Sequence, residues 1–103
     1  MSKYLENVKQ YVASPNEDAV ESLVGHLGIA LESRDGSVVA ATDPDEISAI
    51  RDGYCNTNLD LDAGEADAAI AMVCELMKDD RQKCRVTFYY LLAQETDRMH
   101  RLC

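Results

Sequence analysis

The sequence predicts an all-α fold: a compact single domain, residues 1–103, of about five helices with a C-terminal helical hairpin. Apolar side chains recur at the i, i+3, i+4 and i+7 spacing of one helical face through most of the chain. Residues typical of helix starts precede several of these stripes. A chain of 103 residues is also the size of one domain with its own hydrophobic core.

The first two helices are predicted from their caps and stripes. Ser2 caps the first, which ends at Ala13 or Ser14, and its inner stripe is Tyr4, Leu5, Val8, Tyr11 and Val12. The second starts at Ser14, with Pro15 in its first turn and Glu17 three residues after the cap. Its inner face is Val20, Leu23, Val24 and Leu27, and Gly28 is a natural left-handed terminator.

Residues 29–41 allow two interpretations. An Asp35-Gly36 pair between the apolar runs Ile29–Leu31 and Val38–Ala40 is a hairpin signal. The alanines and Leu31 suit helices better, and a lone two-stranded hairpin is marginally stable when no other strand is predicted. Short helical turns are therefore favoured here, with the hairpin as the alternative.

A further helix follows this region. Thr42 or Asp43 caps it, and Pro44 takes its first turn. Its inward side chains are Ile47, Ile50 and Tyr54, and it ends at Gly53 and the run Asn56–Asn58. Leu59 and Leu61 are expected to fill the connector to the next helix.

The stretch from Asp62 to Leu92 organises the rest of the chain. Asp62 and Glu65 have the spacing of a capping box. The helix that they start has the inner face Ala66, Ala69, Ile70, Val73, Leu76 and Met77. A polar turn then leads to a last helix from Val86, on which Phe88, Leu91, Leu92 and Met99 share a face. Two such helices joined by a short turn form the predicted hairpin.

Composition bounds the function and the compartment. The net charge of −9 repels phosphate backbones and anionic membranes, so no nucleic-acid or membrane partner is expected. The opening MSKYLENVKQ has no apolar core of a leader, and the longest apolar run, Ala68–Cys74, is too short to span a bilayer. The four cysteines lack metal-ligand spacing and are expected to be free thiols. These observations predict a cytoplasmic protein.

The segment Arg81–Ala93, RQKCRVTFYYLLA, resembles a family of small bacterial proteins catalogued as domain-of-unknown-function family 2853. The opening pattern Tyr4–Val12, the segment Leu27–Leu31 and Val73-Cys74-x-x-Met77 also look like it, so the similarity covers nearly the whole chain. One difference lies at Tyr54–Leu61, a lysine-rich helix end in the family and YCNTNLDL here. The resemblance implies a helical bacterial domain and implies no particular activity.

One patch is a candidate binding site: the turn before the last helix and the first turns of that helix. Its basic residues precede a helix start, where backbone donors favour an anion. Nearby tyrosines could stack or donate to a phosphate or carboxylate. The site residues are Arg81, Lys83, Arg85, Tyr89 and Tyr90. The alternative is that these residues only cap helices and pair with neighbouring acids such as Asp79 and Asp80.

Other chemistry has little support in the sequence. His26 and His100 lack the companions that a zinc site needs, so no metal is predicted. No nucleophile motif, P-loop or dinucleotide pattern occurs, so no catalytic residue and no cofactor is assigned. Carboxylate pairs such as Asp43/Asp45 are expected to complement a helix dipole.

The leading hypothesis is therefore a non-enzymatic interaction or scaffold domain that associates with itself, as a homodimer, or with another protein. The alternative is a phosphate- or carboxylate-binding protein that uses the basic turn. A third hypothesis, from the acidic excess of residues 1–52, is a mimic of nucleic acid that occupies a basic protein.

Overall fold

The computed structural model describes residues 2–32, 37–80 and 82–102 and has a mostly helical fold. Five α-helices lie in these residues: α1 (Ser2–Lys9), α2 (Glu17–Leu27), α3 (Pro44–Ala49), α4 (Ala63–Leu76) and α5 (Arg85–Glu95). A π-helix, Ile50–Asn58, continues α3, and 3-10 turns occupy Gly28–Glu32 and Met99–Arg101. The strands β1 (Val38–Val39) and β2 (Lys83–Cys84) form a small antiparallel sheet.

The last helix is the centre of the fold. Eight consecutive residues of α5, from Val86 to Ala93, are buried, and α1, α2 and α4 all pack against this helix. Phe88, Leu91 and Leu92 are in the core as predicted. Over these residues the helix has no solvent-exposed face, because the neighbouring elements cover it on every side. Packing of α4 against α5 confirms the C-terminal helical hairpin.

The start of α2 differs from the prediction by two residues. Asn16, not Ser14, is the cap, and its side chain accepts a hydrogen bond from the Ala19 backbone N–H at 3.2 Å. The Asn16 N–H itself donates to the Tyr90 hydroxyl at 2.8 Å, which holds this residue outside the helix. Gly28 ends α2 with a φ of 28°, so the predicted terminator is confirmed.

The region after α2 contains both elements that the sequence left open. Gly28–Glu32 is a helical turn, as favoured, but Val38–Val39 is a strand. The expectation that no second strand exists is wrong, since Val38 pairs with Cys84 and Val39 with Lys83. The partner strand lies far along the chain and has no strand pattern of its own. The proposed Asp35-Gly36 turn lies outside the described residues.

The helix after β1 ends at the predicted run Asn56–Asn58 and passes through Gly53. Asp43 is its cap, accepting from the Asp45 N–H at 2.9 Å, and Pro44 opens it. Gly53 does not end it, because the chain widens into a π-helix that runs to Asn58 and buries Ile50, Tyr54 and Cys55. Its last carbonyls have partners: the Leu59 oxygen accepts from Arg98 and the Asn58 oxygen from Arg101.

The capping box of α4 is present as predicted. Asp62 accepts from the Glu65 N–H at 2.7 Å, and the Glu65 side chain accepts from the Asp62 N–H at 3.3 Å. The inner face is buried as expected at Ala66, Ala69, Ile70, Val73 and Met77. Leu76 is the exception, with 49% of its surface exposed. It lies at the edge of the buried face, one turn after the exposed Met72.

Among the described residues, no helix has both the length and the apolar character needed to cross a membrane.

Candidate functional site

The structure describes four of the five residues of the predicted basic site, and these four have different partners. Arg81 lies outside the described residues. Lys83, in β2, donates from Nζ to the Asp80 carbonyl at 3.0 Å. Arg85, two residues later, reaches instead to β1 and α3. Of the five predicted site residues, the structure brings Arg85 and Tyr89 into direct contact.

Arg85 is held by groups from three elements. Its side chain is 12% exposed and forms an ion pair with Glu46, which is 23% exposed. The same guanidinium donates to the Val38 carbonyl at 3.0 Å and to the Tyr89 hydroxyl at 3.1 Å. Burial lowers the pKa of Arg85, but hydrogen bonds with Glu46 and Tyr89 outweigh it, so the pKa lies above its ordinary value. This contact set, called here the Arg85 clasp, joins α5 to β1 and α3.

Two stacked tyrosines extend the clasp into the core. The rings of Tyr54 and Tyr89 lie 4.1 Å apart at an interplanar angle of 21°, and the Tyr54 hydroxyl donates to the Tyr89 carbonyl at 2.9 Å. Burial raises the pKa of both phenols, although Arg85 partly offsets the effect at Tyr89. Both hydroxyls are therefore protonated at neutral pH and serve as hydrogen-bonding groups.

Tyr90 serves a different part of the fold. It is 2% exposed, and its hydroxyl accepts from the Asn16 N–H at the start of α2. A tyrosine adjacent in sequence to Tyr89 points about 100° away around the helix, which explains the separation. The two tyrosines therefore connect α5 to different neighbours.

The opening beside the clasp has mixed charge. A cavity of about 270 Å³ is lined by Val38, Ala40, Asp43, Glu46 and Arg85. Two carboxylates thus accompany the one guanidinium, and an anion bound to Arg85 would have to displace Glu46. The anion-binding role of the basic turn stays a prediction, and the surroundings of Arg85 weigh against its taking part.

The sequence reasoning missed the outward face of α4. Met72 and Leu76 are 48% and 49% exposed, and they are the large apolar side chains that stand most exposed in the described ranges. Gly64, Ala68 and Ala71 are exposed on the adjoining strip. A signal was present in the unbroken apolar run Ala68–Cys74, because seven such residues must place apolar side chains on both sides of a helix.

The thiols of Cys55 and Cys74 are poor candidates for nucleophiles. Cys55 is buried, and this raises its pKa to about 11. Burial also raises the pKa of Cys74, with Lys83 acting in the opposite direction. Within residues 2–32, 37–80 and 82–102, no three potential metal-ligating side chains of His, Cys, Asp or Glu come together.

Comparison with known proteins gives one informative result. The model of the family described as "Protein of unknown function (DUF2853)" matches residues 3–100 of this chain. A search of the curated proteins gave no match. The match spans all five α-helices and both strands apart from the first residue of α1, and the chain therefore belongs to the DUF2853 family of proteins of unknown function.

Proposed function

We propose that this protein is an interaction domain that associates with a second copy of itself through the outward face of α4. The observation that carries the proposal is the exposure of Met72 and Leu76, one helical turn apart. Large apolar side chains at adjacent positions on one face favour contact with another surface. The clasp, by comparison, offers fully engaged polar groups.

The shape of this face suits a second copy. Met72 and Leu76 form a ridge, and the exposed small residues Gly64, Ala68 and Ala71 lie on a strip beside it that ends at the charged Glu75. In a two-fold arrangement, the ridge of each copy can lie on the strip of the other, as an isologous interface requires. Small side chains on the strip allow two helix axes to approach closely.

The energetics favour a weak, reversible dimer. Burying the exposed half of Met72 and Leu76 contributes about 1 kcal/mol per side chain, and a two-fold contact repeats it. Two copies carrying −9 each repel one another, and salt screens this repulsion. Association is therefore expected to strengthen as ionic strength rises.

Sedimentation velocity over a range of protein and NaCl concentrations tests the proposal. The wild-type chain is expected to show a concentration-dependent dimer, and Met72→Gln/Leu76→Gln is expected to remove it. The control is Ser22→Gln/His26→Gln, which changes two exposed positions at the same spacing on α2. Glutamine is a good helix former, so both variants should fold.

A wild-type chain that stays monomeric at all salt and protein concentrations would contradict the proposal. Equal dimerisation of wild type and the Met72/Leu76 variant would place the interface elsewhere and also reject it.

A further inference from the structure

The exposed face of α4 is divided by side-chain size along the helix. Its large apolar residues, Met72 and Leu76, lie in the C-terminal half, and the small residues Gly64 and Ala68 lie in the N-terminal half. The members of each pair are four positions apart, which is about 6 Å along an α-helix. The large pair and the small pair therefore have the same length, and they lie on either side of position 70.

An antiparallel pair of α4 helices brings the large residues opposite the small ones. When the two-fold axis is level with position 70, Met72 of one copy is level with Ala68 of the other. Leu76 is level with Gly64 in the same arrangement, so both large side chains meet a small residue at once. Two-fold symmetry repeats each of these contacts. Small residues at these levels also let the two helix axes approach closely.

A parallel pair would use the same face less well. Each residue would then be level with its own counterpart, so that Met72 meets Met72 and Ala68 meets Ala68. The large residues would hold the helices apart, and the small residues would leave a gap over the other half of the contact. Such a gap forfeits the contacts that a close-packed interface makes. The distribution of side-chain size therefore favours the antiparallel pair.

The charged residues at the ends of α4 agree with the same register. Lys78, two positions after the end of α4, is level with Asp62, the N-cap of α4 in the other copy. Lys78 Nζ donates to Glu75 at 3.0 Å, and an ammonium has three N–H donors. Asp62 is exposed and uses Oδ1 to accept from the Glu65 N–H, and a carboxylate can accept several hydrogen bonds. Lys78 can thus bridge its own Glu75 and Asp62 of the other copy.

One like-charge contact opposes this register, because Glu65 of one copy is level with Glu75 of the other. Each carboxylate already has a partner within its own copy. Glu65 accepts from the Asp62 N–H at 3.3 Å, and Glu75 accepts from Lys78. Salt screens this repulsion together with the repulsion between the two net charges. The contact therefore weakens the dimer at low ionic strength without changing the match of large and small residues.

We infer that the second copy binds with its α4 antiparallel to this one, in the register centred on position 70. Met72 packs against Ala68 of the other copy, and Leu76 packs against its Gly64. Lys78 lies beside its Asp62. The inference rests on the proposed self-association and adds the orientation and the contact residues of the partner. Since the same face is used by both copies, association stops at two.

Exchanging large and small residues tests the register by sedimentation velocity. Ala68→Met and Met72→Ala are each expected to weaken the dimer by about tenfold, because one places large against large and the other small against small. Ala68→Met/Met72→Ala restores large against small and should bind within about threefold of wild type. Circular dichroism checks that each variant is folded.

The matched control is Ala71→Met/Met72→Ala. It makes the same two exchanges, but it moves the methionine to an exposed position that is not level with Met72 in the antiparallel pair. Its dimer should therefore stay as weak as that of Met72→Ala. In a parallel pair Ala71 would be nearly level with Met72, so this control would be the variant that recovers.

Zero-length cross-linking reports the orientation directly. Chains with and without ¹⁵N are mixed and treated with a carbodiimide, which couples an amine to a carboxylate that it contacts. Chymotrypsin, which cleaves after large apolar residues such as Met72 and Leu76, then separates the two ends of α4 for mass spectrometry. In products of mixed label, an antiparallel pair is expected to link Lys78 to Asp62. A parallel pair would link Lys78 to Glu75.

The outcomes distinguish this inference from the proposed function. A wild-type chain that forms no dimer would remove both. A dimer that Ala68→Met/Met72→Ala fails to restore, or a mixed-label link from Lys78 to Glu75, would overturn the antiparallel register and leave self-association standing. Recovery in Ala68→Met/Met72→Ala but not in Ala71→Met/Met72→Ala would support the register, as would a mixed-label link from Lys78 to Asp62.

Discussion

At the scale of single residues, Arg85 is a predicted site residue whose side chain joins three elements of the fold. Its guanidinium contacts Glu46, Val38 and Tyr89, which belong to three different elements. A largely buried charge stabilises the fold only while its partners remain. Removing one member of such a pair leaves the other member buried without a partner, which costs free energy.

Arg85→Ala is therefore expected to lower the free energy of unfolding by about 2–4 kcal/mol, since it leaves the half-buried Glu46 without its ion pair. Glu46→Gln should cost less, because an amide oxygen still accepts from Arg85. The control is Lys78→Ala, which breaks an exposed ion pair with Glu75 and should change stability by about 0–1 kcal/mol. Urea unfolding measures all three. Equal effects of Arg85→Ala and Lys78→Ala would contradict the role of the clasp.

At the scale of elements, α2 has two glycines, and the backbone conformation requires glycine at only one of them. Gly25 lies within the helix, and a Cβ placed there would meet open space. Gly28, three residues later, ends the helix with a φ of 28°. Side chains other than glycine adopt such a φ at a cost, so only the second position requires glycine.

Gly25→Ala is expected to raise the free energy of unfolding by about 0.5–1 kcal/mol, the difference in helix propensity. Gly28→Ala should lower it by about 1–2 kcal/mol, because alanine is strained in the left-handed region. Both variants exchange glycine for alanine. Changes of opposite sign in the free energy of unfolding, measured in urea, would therefore reflect the different backbone conformations at the two positions. The same sign for both would contradict this account of the α2 terminus.

At the scale of the whole molecule, the buried phenols and thiols link stability to pH. Burial raises the pKa of Tyr54, Tyr89 and Cys55, the last to about 11 from 9.0. Above about pH 9 the unfolded chain therefore releases protons that the folded chain retains. The stability that these raised pKa values contribute is complete below the pKa values of the unfolded chain. It is lost as the pH rises through the pKa values of the folded chain.

The free energy of unfolding should consequently fall between pH 9 and pH 11, and Cys55 alone should account for up to about 1.4 kcal/mol per pH unit there. Cys55→Ala is expected to be less stable at pH 7 but to show a shallower decline. Urea unfolding at intervals of pH measures both slopes. An unchanged slope in Cys55→Ala would mean that the thiol does not titrate differently in the two states.

Much of this fold follows from local chemistry that the sequence displays. The capping box at Asp62, the cap at Asp43 with Pro44 and the terminator at Gly28 depend on residues within a few positions of each other. The apolar stripe of α4 predicted its buried face except at Leu76, where the edge of the packing against α5 decides exposure. Local periodicity thus indicated which segments are helical and which face α4 buries, whereas α5 buries eight consecutive residues, Val86 to Ala93.

The tertiary structure decided what depends on distant partners. Strand β1 exists because Lys83–Cys84 lies beside it, and Asn16 replaces Ser14 as a cap because Tyr90 reaches its N–H. Arg85 contacts Glu46 and the Val38 carbonyl, two partners distant in sequence that no local spacing indicates. Spacing in a sequence encodes neighbours within a few turns of helix, whereas long-range contacts depend on how complete surfaces pack together.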